Sequence, residues 1–254
     1  MLTSPSYFGI LSSHTVTTEQ NTGKDMRTKT LLIAAAALAI GVATSMAQTY
    51  SQNIVGYVSI VVPGNQGTTL ICNPLTNSVG NDLGTLFTNA PKNTVVWEYG
   101  SGIWNPYTRR ANGTFSGGYD GHAILPGEGI IVQTASGAAN LTNTFVGQVI
   151  QGTNIVAFVP GGFSTVSCVS PVSGLLQTTL GYPATKNDVI WTYDPVTSWQ
   201  SSTRRASSWS GSYYTGTPGV DAAGEPVILP GQAFFIQAAA TASGSWTNVF
   251  VPAP

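Results

Sequence analysis

Asn53-Ile54-Val55-Gly56-Tyr57 returns 101 residues later as Asn154-Ile155-Val156-Ala157-Phe158. A stretch repeated once at that distance decides how the rest is read, so the chain was searched outward from it for further pairs. Gly67 to Leu75, with Cys72-Asn73-Pro74-Leu75, is answered more loosely by Gly162 to Val172, with Cys168-Val169-Ser170-Pro171-Val172. Val95-Val96-Trp97-Glu98-Tyr99 matches Val189-Ile190-Trp191-Thr192-Tyr193. Trp104 precedes Arg109-Arg110-Ala111 as Trp199 precedes Arg204-Arg205-Ala206. Ile124-Leu125-Pro126-Gly127-Glu128 and Ile130 to Gln133 match Ile228-Leu229-Pro230-Gly231-Gln232 and Phe234 to Gln237, and Thr142-Asn143-Thr144-Phe145-Val146 matches Thr247-Asn248-Val249-Phe250-Val251. Six blocks in one order, at offsets of 94 to 105 residues, read as an internal duplication. Each copy is about 100 residues, an ordinary domain size, so domains are expected at 48–150 and 151–254.

Within each copy, short runs of Val, Ile, Thr, Phe, Tyr and Trp lie between clusters of Gly, Pro, Asn, Asp and Ser, the signature of strands. Strands are expected near 53–62, 67–73, 94–99, 103–109, 113–119, 129–134 and 142–149, with equivalents in the second copy. One short helix is expected, capped by Asn81, with Leu83, Leu86 and Phe87 on one face; Leu176 and Leu180 are its counterpart. Pro126-Gly127 and Pro230-Gly231 suit a turn with Pro first and a positive-φ Gly second. The fold class expected is therefore all-β: two tandem homologous β-sandwich or small-barrel domains, each with one short helix.

The N-terminal region has a different character. Met26-Arg27-Thr28-Lys29-Thr30 is a basic start, Leu31 to Val42 is apolar and Ala-rich, and Ser45-Met46-Ala47 is a small-x-small cleavage signal, so 26–47 reads as a signal peptide. Residues 1–25, with Glu19 and Asp25, read as the product of an upstream start. The 17 residues from Leu31 to Ala47 are short for a spanning helix, and no second apolar run follows. The mature chain is then expected to have no membrane span and to be secreted, extracellular or associated with the cell envelope.

From residue 48 onward there are six basic side chains and eight acidic ones. So sparse and scattered a charge disfavours nucleic-acid binding, which needs clustered Lys and Arg, and disfavours a charge-rich disordered tail. His122 is the one histidine after residue 47. No nucleophile-elbow sequence accompanies it, so a Ser–His–Asp hydrolase is not expected and a loop histidine is. Glu98 and Asp120 are the nearest approach to a catalytic carboxylate pair in the first copy. Glu98 aligns with Thr192, however, and Glu128 with Gln232. Asp188, Asp194, Asp221 and Glu225 are the acids of the second copy, and of these Asp194-Pro195 and Asp221-Ala-Ala-Gly read as turn chemistry. Cys72 and Cys168, placed at matching positions, read as two buried small hydrophobes, with a bridge between the copies as the alternative. No metal site and no cofactor is expected.

Aromatic side chains interleaved with arginine are the most suggestive pattern. Trp97, Tyr99, Trp104, Tyr107, Arg109, Arg110, Phe115 and Tyr119 fall within 23 residues, and Trp191, Tyr193, Trp199, Arg204, Arg205, Trp209, Tyr213 and Tyr214 repeat it. A sugar ring stacks its CH face on an aromatic ring and offers hydroxyls to nearby donors. Trp97 and Trp191, in apolar runs, are expected in the core. Trp104 and Trp199, in polar surroundings, are expected to be partly exposed. The candidate ligand-binding residues are therefore Trp104, Tyr107, Arg109, Arg110, Trp199, Arg204 and Arg205, with structural stacking by the arginines as the alternative.

The blocks Asn-Ile-Val-Gly-Tyr, Asn-Pro-Leu, Trp-x-Tyr and Pro-Gly-Glu-Gly-Ile-Ile-Val resemble those of a group of uncharacterised secreted bacterial β-rich repeat proteins. That resemblance implies export and one or two β-rich units, and carries over no catalytic residue. The second copy departs from the pattern, with Ser-Pro-Val and Pro-Gly-Gln-Ala in place of Asn-Pro-Leu and Pro-Gly-Glu-Gly. The function expected is that of a non-enzymatic structural or adhesive protein of the cell surface or matrix, with a glycan or a second copy of itself as partner. A tandem carbohydrate-binding module is the alternative, and a glycan-active hydrolase a weaker one.

Overall fold

Alternation fixes the first strand. In β1 (Val55–Val62), Val55, Tyr57, Ser59 and Val61 face outward while Val58 and Val62 are buried, the period of two that a half-buried strand requires. The computed structural model describes residues 54–116, 122–195, 198–211 and 224–251. The first half continues with β2 (Thr68–Cys72), β3 (Leu75–Thr76), helix α1 (Leu83–Leu86), β4 (Val95–Gly100), β5 (Ile103–Thr108), β6 (Gly129–Gln133) and β7 (Leu141–Val149). The second half holds β8 (Gly152–Ala157), β9 (Phe163–Val166), β10 (Gly174–Leu175), β11 (Val189–Asp194), β12 (Ser198–Arg204), β13 (Trp209–Gly211), β14 (Val227–Ile228), β15 (Phe234–Gln237) and β16 (Ser245–Phe250).

Among the described residues all of the ladders are antiparallel and the sheets stay open, so the barrel alternative does not hold. In the first half a sheet of order β1-β7-β3 faces one of order β2-β6-β4-β5. Val58, Val62, Leu141 and Phe145 on one side and Ile71, Ile130, Val132 and Val96 on the other enclose a single core, with Leu83, Leu86 and Phe87 closing one end. In the second half the β16-β8 pair covers the sheet β13-β12-β11-β15-β9. Its core gathers Val156, Val166, Ile190, Phe234 and Ile236 around the fully buried Trp246, whose indole donates to the carbonyl of Leu180 at 3.0 Å.

Four local expectations need correcting, the first of them the second short helix: around Leu176 and Leu180 the chain forms a turn instead. The cap of α1 is Asp82, not Asn81: its carboxylate accepts the Thr85 N–H at 2.9 Å. Asn81 instead holds the preceding loop, accepting from Asn77 N–H at 2.8 Å and donating to the carbonyl of Leu75. The expected strand at 113–119 contributes only a single bridge, between Arg109 and Phe115; residues 117–119, like Asp120, Tyr213, Tyr214, Asp221 and the segment 1–53, lie outside the described residues. Trp97 and Trp191 belong to neither core. They are half-buried, because the strands that carry them turn Val96 and Ile190 inward instead.

Residues 53–254 cluster as one compact unit, joined across its middle by backbone bonds that run both ways. Cys72 N–H donates to the carbonyl of Gly231 and Ser167 N–H to that of Gly127, each at 2.8 Å. Ile71 bridges Gln232, and Val166 bridges Glu128. These bonds pair Cys72 with Ser167, not with Cys168, so the two cysteines are not equivalent in register. One residue of slip moves a side chain to the other face of a strand. Cys72 accordingly lies between the halves with Leu70 and Ala233, while Cys168 enters the second core and donates to Asn248 Oδ1 at 2.9 Å. Both are buried and free.

Candidate functional site

The structure separates the candidate binding residues onto different faces. On β5 and just past its end, Tyr107 and Arg109 alternate with Trp104 and turn toward the first core. Tyr107 is buried and donates to Glu98 Oε2 at 2.9 Å. Arg109 is buried, its guanidinium 5.5 Å from the Phe115 centroid and donating to the carbonyl of Thr88 at 3.0 Å. The second half repeats the stacking with other rings: Arg204 lies 5.9 Å from the centroid of Trp209 and donates to the carbonyls of Arg205 and Ser208. These two arginines are structural clamps on their edge hairpins. Arg110 and Arg205 are exposed, and Arg205 bonds Ser210 Oγ at 2.8 Å. Each stands six residues from its tryptophan, roughly 20 Å along an extended chain, so neither shares a sugar ring with Trp104 or Trp199.

Trp104 and Trp199 instead join a surface of rings. On the face of the second half's large sheet that is turned toward the first half, where Phe235 and Tyr193 also pack on Leu70, Cys72 and Ala233, Phe163 stacks on Phe235 at 5.3 Å and 9°, and Trp191 lies 5.9 Å from Phe235. From the first half, Tyr99 and Trp104 approach the same Phe235 at 5.1 and 5.7 Å. Further along, Trp199, 44% exposed, meets Tyr193 edge-on at 5.3 Å. Register explains the row: Trp191 pairs with Phe235 and Tyr193 with Trp199 across neighbouring strands, so their rings leave the sheet on one side.

Sequence reasoning missed a second cluster. Glu98 on β4, His122 and Glu128 converge although they are 24 and 6 residues apart in sequence. His122 Nε2 lies 2.8 Å from Glu98 Oε2, the atom that also accepts from Tyr107. Glu128 closes the turn that begins at Leu125: its N–H donates to the Leu125 carbonyl at 2.9 Å, and its Oε2 accepts the Leu125 N–H at 2.9 Å. Gln232 does the same in the second half, accepting from Leu229 N–H at 3.1 Å. The turn therefore needs an acceptor oxygen, not a charge. Burial, and then the neighbouring Glu98 carboxyl, push Glu128 up to about 7, while the Leu125 N–H and His122 oppose the rise. The signal in sequence was the departure itself, Glu for Gln and Glu for Thr in one copy only.

The remaining acids are framework. Glu225 accepts from the backbone of Gln177 and Thr178 and from the Thr178 hydroxyl, capping the turn that buries Leu176 and Leu180. Asp188 is wholly buried and accepts from Tyr182 O–H, Thr185 N–H and Ala239 N–H at 2.7 to 3.0 Å. Among the described residues no group of three or more His, Cys, Asp or Glu is arranged to hold a metal, and no helix is long and apolar enough to cross a membrane.

Beside Glu128 runs a groove of about 800 Å³ between the halves. Its walls are the turns Tyr99–Gly102 and Leu125–Glu128 from one half and the end of β8 with the whole of β9 from the other. None of the protein-family models compared with the chain matches it, and no curated protein or solved structure does either.

Proposed function

We propose that the chain is an exported, non-enzymatic adhesive protein of the cell surface or extracellular matrix that holds glycan on its aromatic sheet face. The observation that carries this reading is the row of rings from Trp199 and Tyr193 through Trp191, Phe235 and Phe163 to Tyr99 and Trp104, partly exposed and without a charged side chain among them. A polysaccharide chain laid along the open rim of this row, where Phe163 is 40% and Trp199 44% exposed, gains CH–π contact without desolvating charge. The leader-like segment 26–47 supports export. The like placement of Arg109 with Phe115 and Arg204 with Trp209 supports an internal duplication. The experiment is retention of the protein on a panel of insoluble polysaccharides. Trp199→Ala is expected to lower retention at least fivefold with an unchanged melting temperature; no retention on any member overturns the reading, and an equal fall in melting temperature assigns Trp199 to the framework.

A second reading, assembly with other copies, is favoured by β1. This eight-residue strand pairs only with β7 among the described residues. It carries no charge, and Tyr57 is 78% exposed. A long apolar edge is a template for another strand. Tyr57→Lys is expected to dissolve any concentration-dependent oligomer seen by light scattering; unchanged oligomers overturn this reading.

A further inference from the structure

We propose that the groove between the halves takes a glycan bearing a free primary amine, an amino sugar, with Glu128 as its charge partner and Tyr99 and Phe163 as its ring contacts. The inference rests on the glycan-binding reading above and names the sugar that one part of the surface selects. The groove is large enough for a small ligand, for which volumes of about 300 to 1,000 Å³ are usual. Its walls are chiefly apolar, with Leu125 62% and Ile155 69% exposed, and rings stand at both sides in Tyr99 and Phe163. Of the residues that line it, Glu128 is the one acid, and no Lys, Arg or His is among them.

Charge complementarity decides the ligand's chemistry. The groups that face Glu128 are Glu98 from β4, His122 from the loop before the turn and, through Glu98, the Tyr107 hydroxyl from β5; the second half brings no charged side chain to this wall. Glu98 is already matched by His122 and Tyr107. The negative charge of Glu128 has no Lys or Arg opposite it among the described residues. Gln232 shows that a neutral amide closes the same turn, so the carboxylate is not there for the fold. A second acid beside Glu98 in a half-dry groove opposes folding when it is ionised, and a bound ammonium relieves that repulsion. The ammonium keeps its protons and donates an N–H to the Glu128 carboxylate, and the sugar's CH face lies against the rings.

The test compares wild-type full chain with Glu128→Gln by calorimetric titration, at neutral pH and low salt, against a glucosamine oligomer and its fully N-acetylated counterpart. Wild type is expected to bind the amine form at least tenfold more tightly. Glu128→Gln is expected to bring that ratio close to one while retention on the polysaccharides of the preceding test is unchanged. Ile155→Arg, on an exposed wall position, supplies a cation from within and is expected to have the same effect, so the result does not hang on one variant's folding. Equal wild-type affinity for the two oligomers, or a preference that survives both substitutions, overturns the inference while leaving the aromatic-face reading intact. Absence of binding to every glycan overturns both.

Discussion

Replacing Glu128 by Gln removes a charge from a place where the fold does not want one, and the stability change has a definite dependence on pH. Unfolded, this side chain titrates near 4.5; folded, it titrates near 7. Below pH 4.5 it is protonated in both states and contributes no pH dependence. Between pH 4.5 and 7 the unfolded chain releases the proton while the folded chain keeps it, so folding loses stability as pH rises, and above 7 the loss is complete. At about 1.4 kcal/mol for each tenfold change in proton affinity the full displacement is worth roughly 3 kcal/mol. Because the side chain is only part-buried, screening reduces this to about 1–2 kcal/mol. Gln keeps the bond to Leu125 N–H, as Gln232 keeps its own to Leu229, and has no proton to lose. Glu128→Gln is therefore expected to match wild type near pH 4 and to exceed it by about 1–2 kcal/mol at pH 8. Urea denaturation at half-unit intervals from pH 4 to 8.5 measures this, read as the difference between variant and wild type so that other titrating groups cancel. A difference that stays flat across the window, or a variant weaker than wild type at pH 8, refutes the reasoning.

Three further outcomes are expected. Gly231 has φ +77, and a Cβ there would lie 2.6 Å from Ile60 Cδ1 and 2.7 Å from Val58 Cγ1, so Gly231→Ala should cost about 2–4 kcal/mol. Gly137, with φ +70 and nothing within 4 Å, isolates the backbone share, and Gly137→Ala should cost about 1 kcal/mol; equal losses in denaturant midpoint would show that the contact with β1 is not felt. Asp188→Ala strands the Tyr182 hydroxyl and two backbone N–H groups in the second core, and a loss of about 3 kcal/mol or more is expected on calorimetry; a loss below about 1 kcal/mol would contradict its framework role. Cys72 is pushed up to about 12 by burial, and Cys168 is raised for the same cause, so neither should react with a thiol reagent in native protein at pH 8, while both should react in denaturant; rapid native labelling would refute their burial.

How far the fold is legible depends on the kind of signal. Strands announced by composition and period stand where they were expected, as at 55–62, 95–100 and 129–133, because side-chain alternation and turn residues act locally. Faces were harder to assign. Val95-Val96-Trp97-Glu98-Tyr99 is apolar at four of five positions, and hydrophobicity alone cannot say which set turns inward. The structure gives the first core Val96 and leaves Trp97 and Tyr99 outward, where Tyr99 meets Phe235 of the second half. The cysteines fail the same way. Motif alignment equates Cys72 with Cys168, but the hydrogen bonds equate Cys72 with Ser167, a slip of one residue that no local property of the sequence records.

The candidate site was legible only where its members are neighbours along a strand. Trp199 could be read as exposed from its polar flanks, and stacking by the arginines stands as an alternative in the sequence, but the rings beneath Arg109 and Arg204 could not be named, since Phe115 and Trp209 reach them by hairpin pairing. Glu98, His122 and Glu128 lie on three segments, and only the approach of β4 to β6, with Glu98 opposite Ile130, brings the carboxyls together. Reading the two halves as copies nevertheless offers a comparison that a single domain lacks. Where both copies keep an acceptor, as at Glu128 and Gln232, geometry is being maintained. Where one copy alone adds a charge, at both Glu128 and Glu98, the framework is served without it, and the added charge identifies the half in which a ligand is to be sought. The asymmetry between the halves thus points toward the groove beside Glu128, whereas a feature they share, Arg109 over Phe115 and Arg204 over Trp209, holds the edge hairpins.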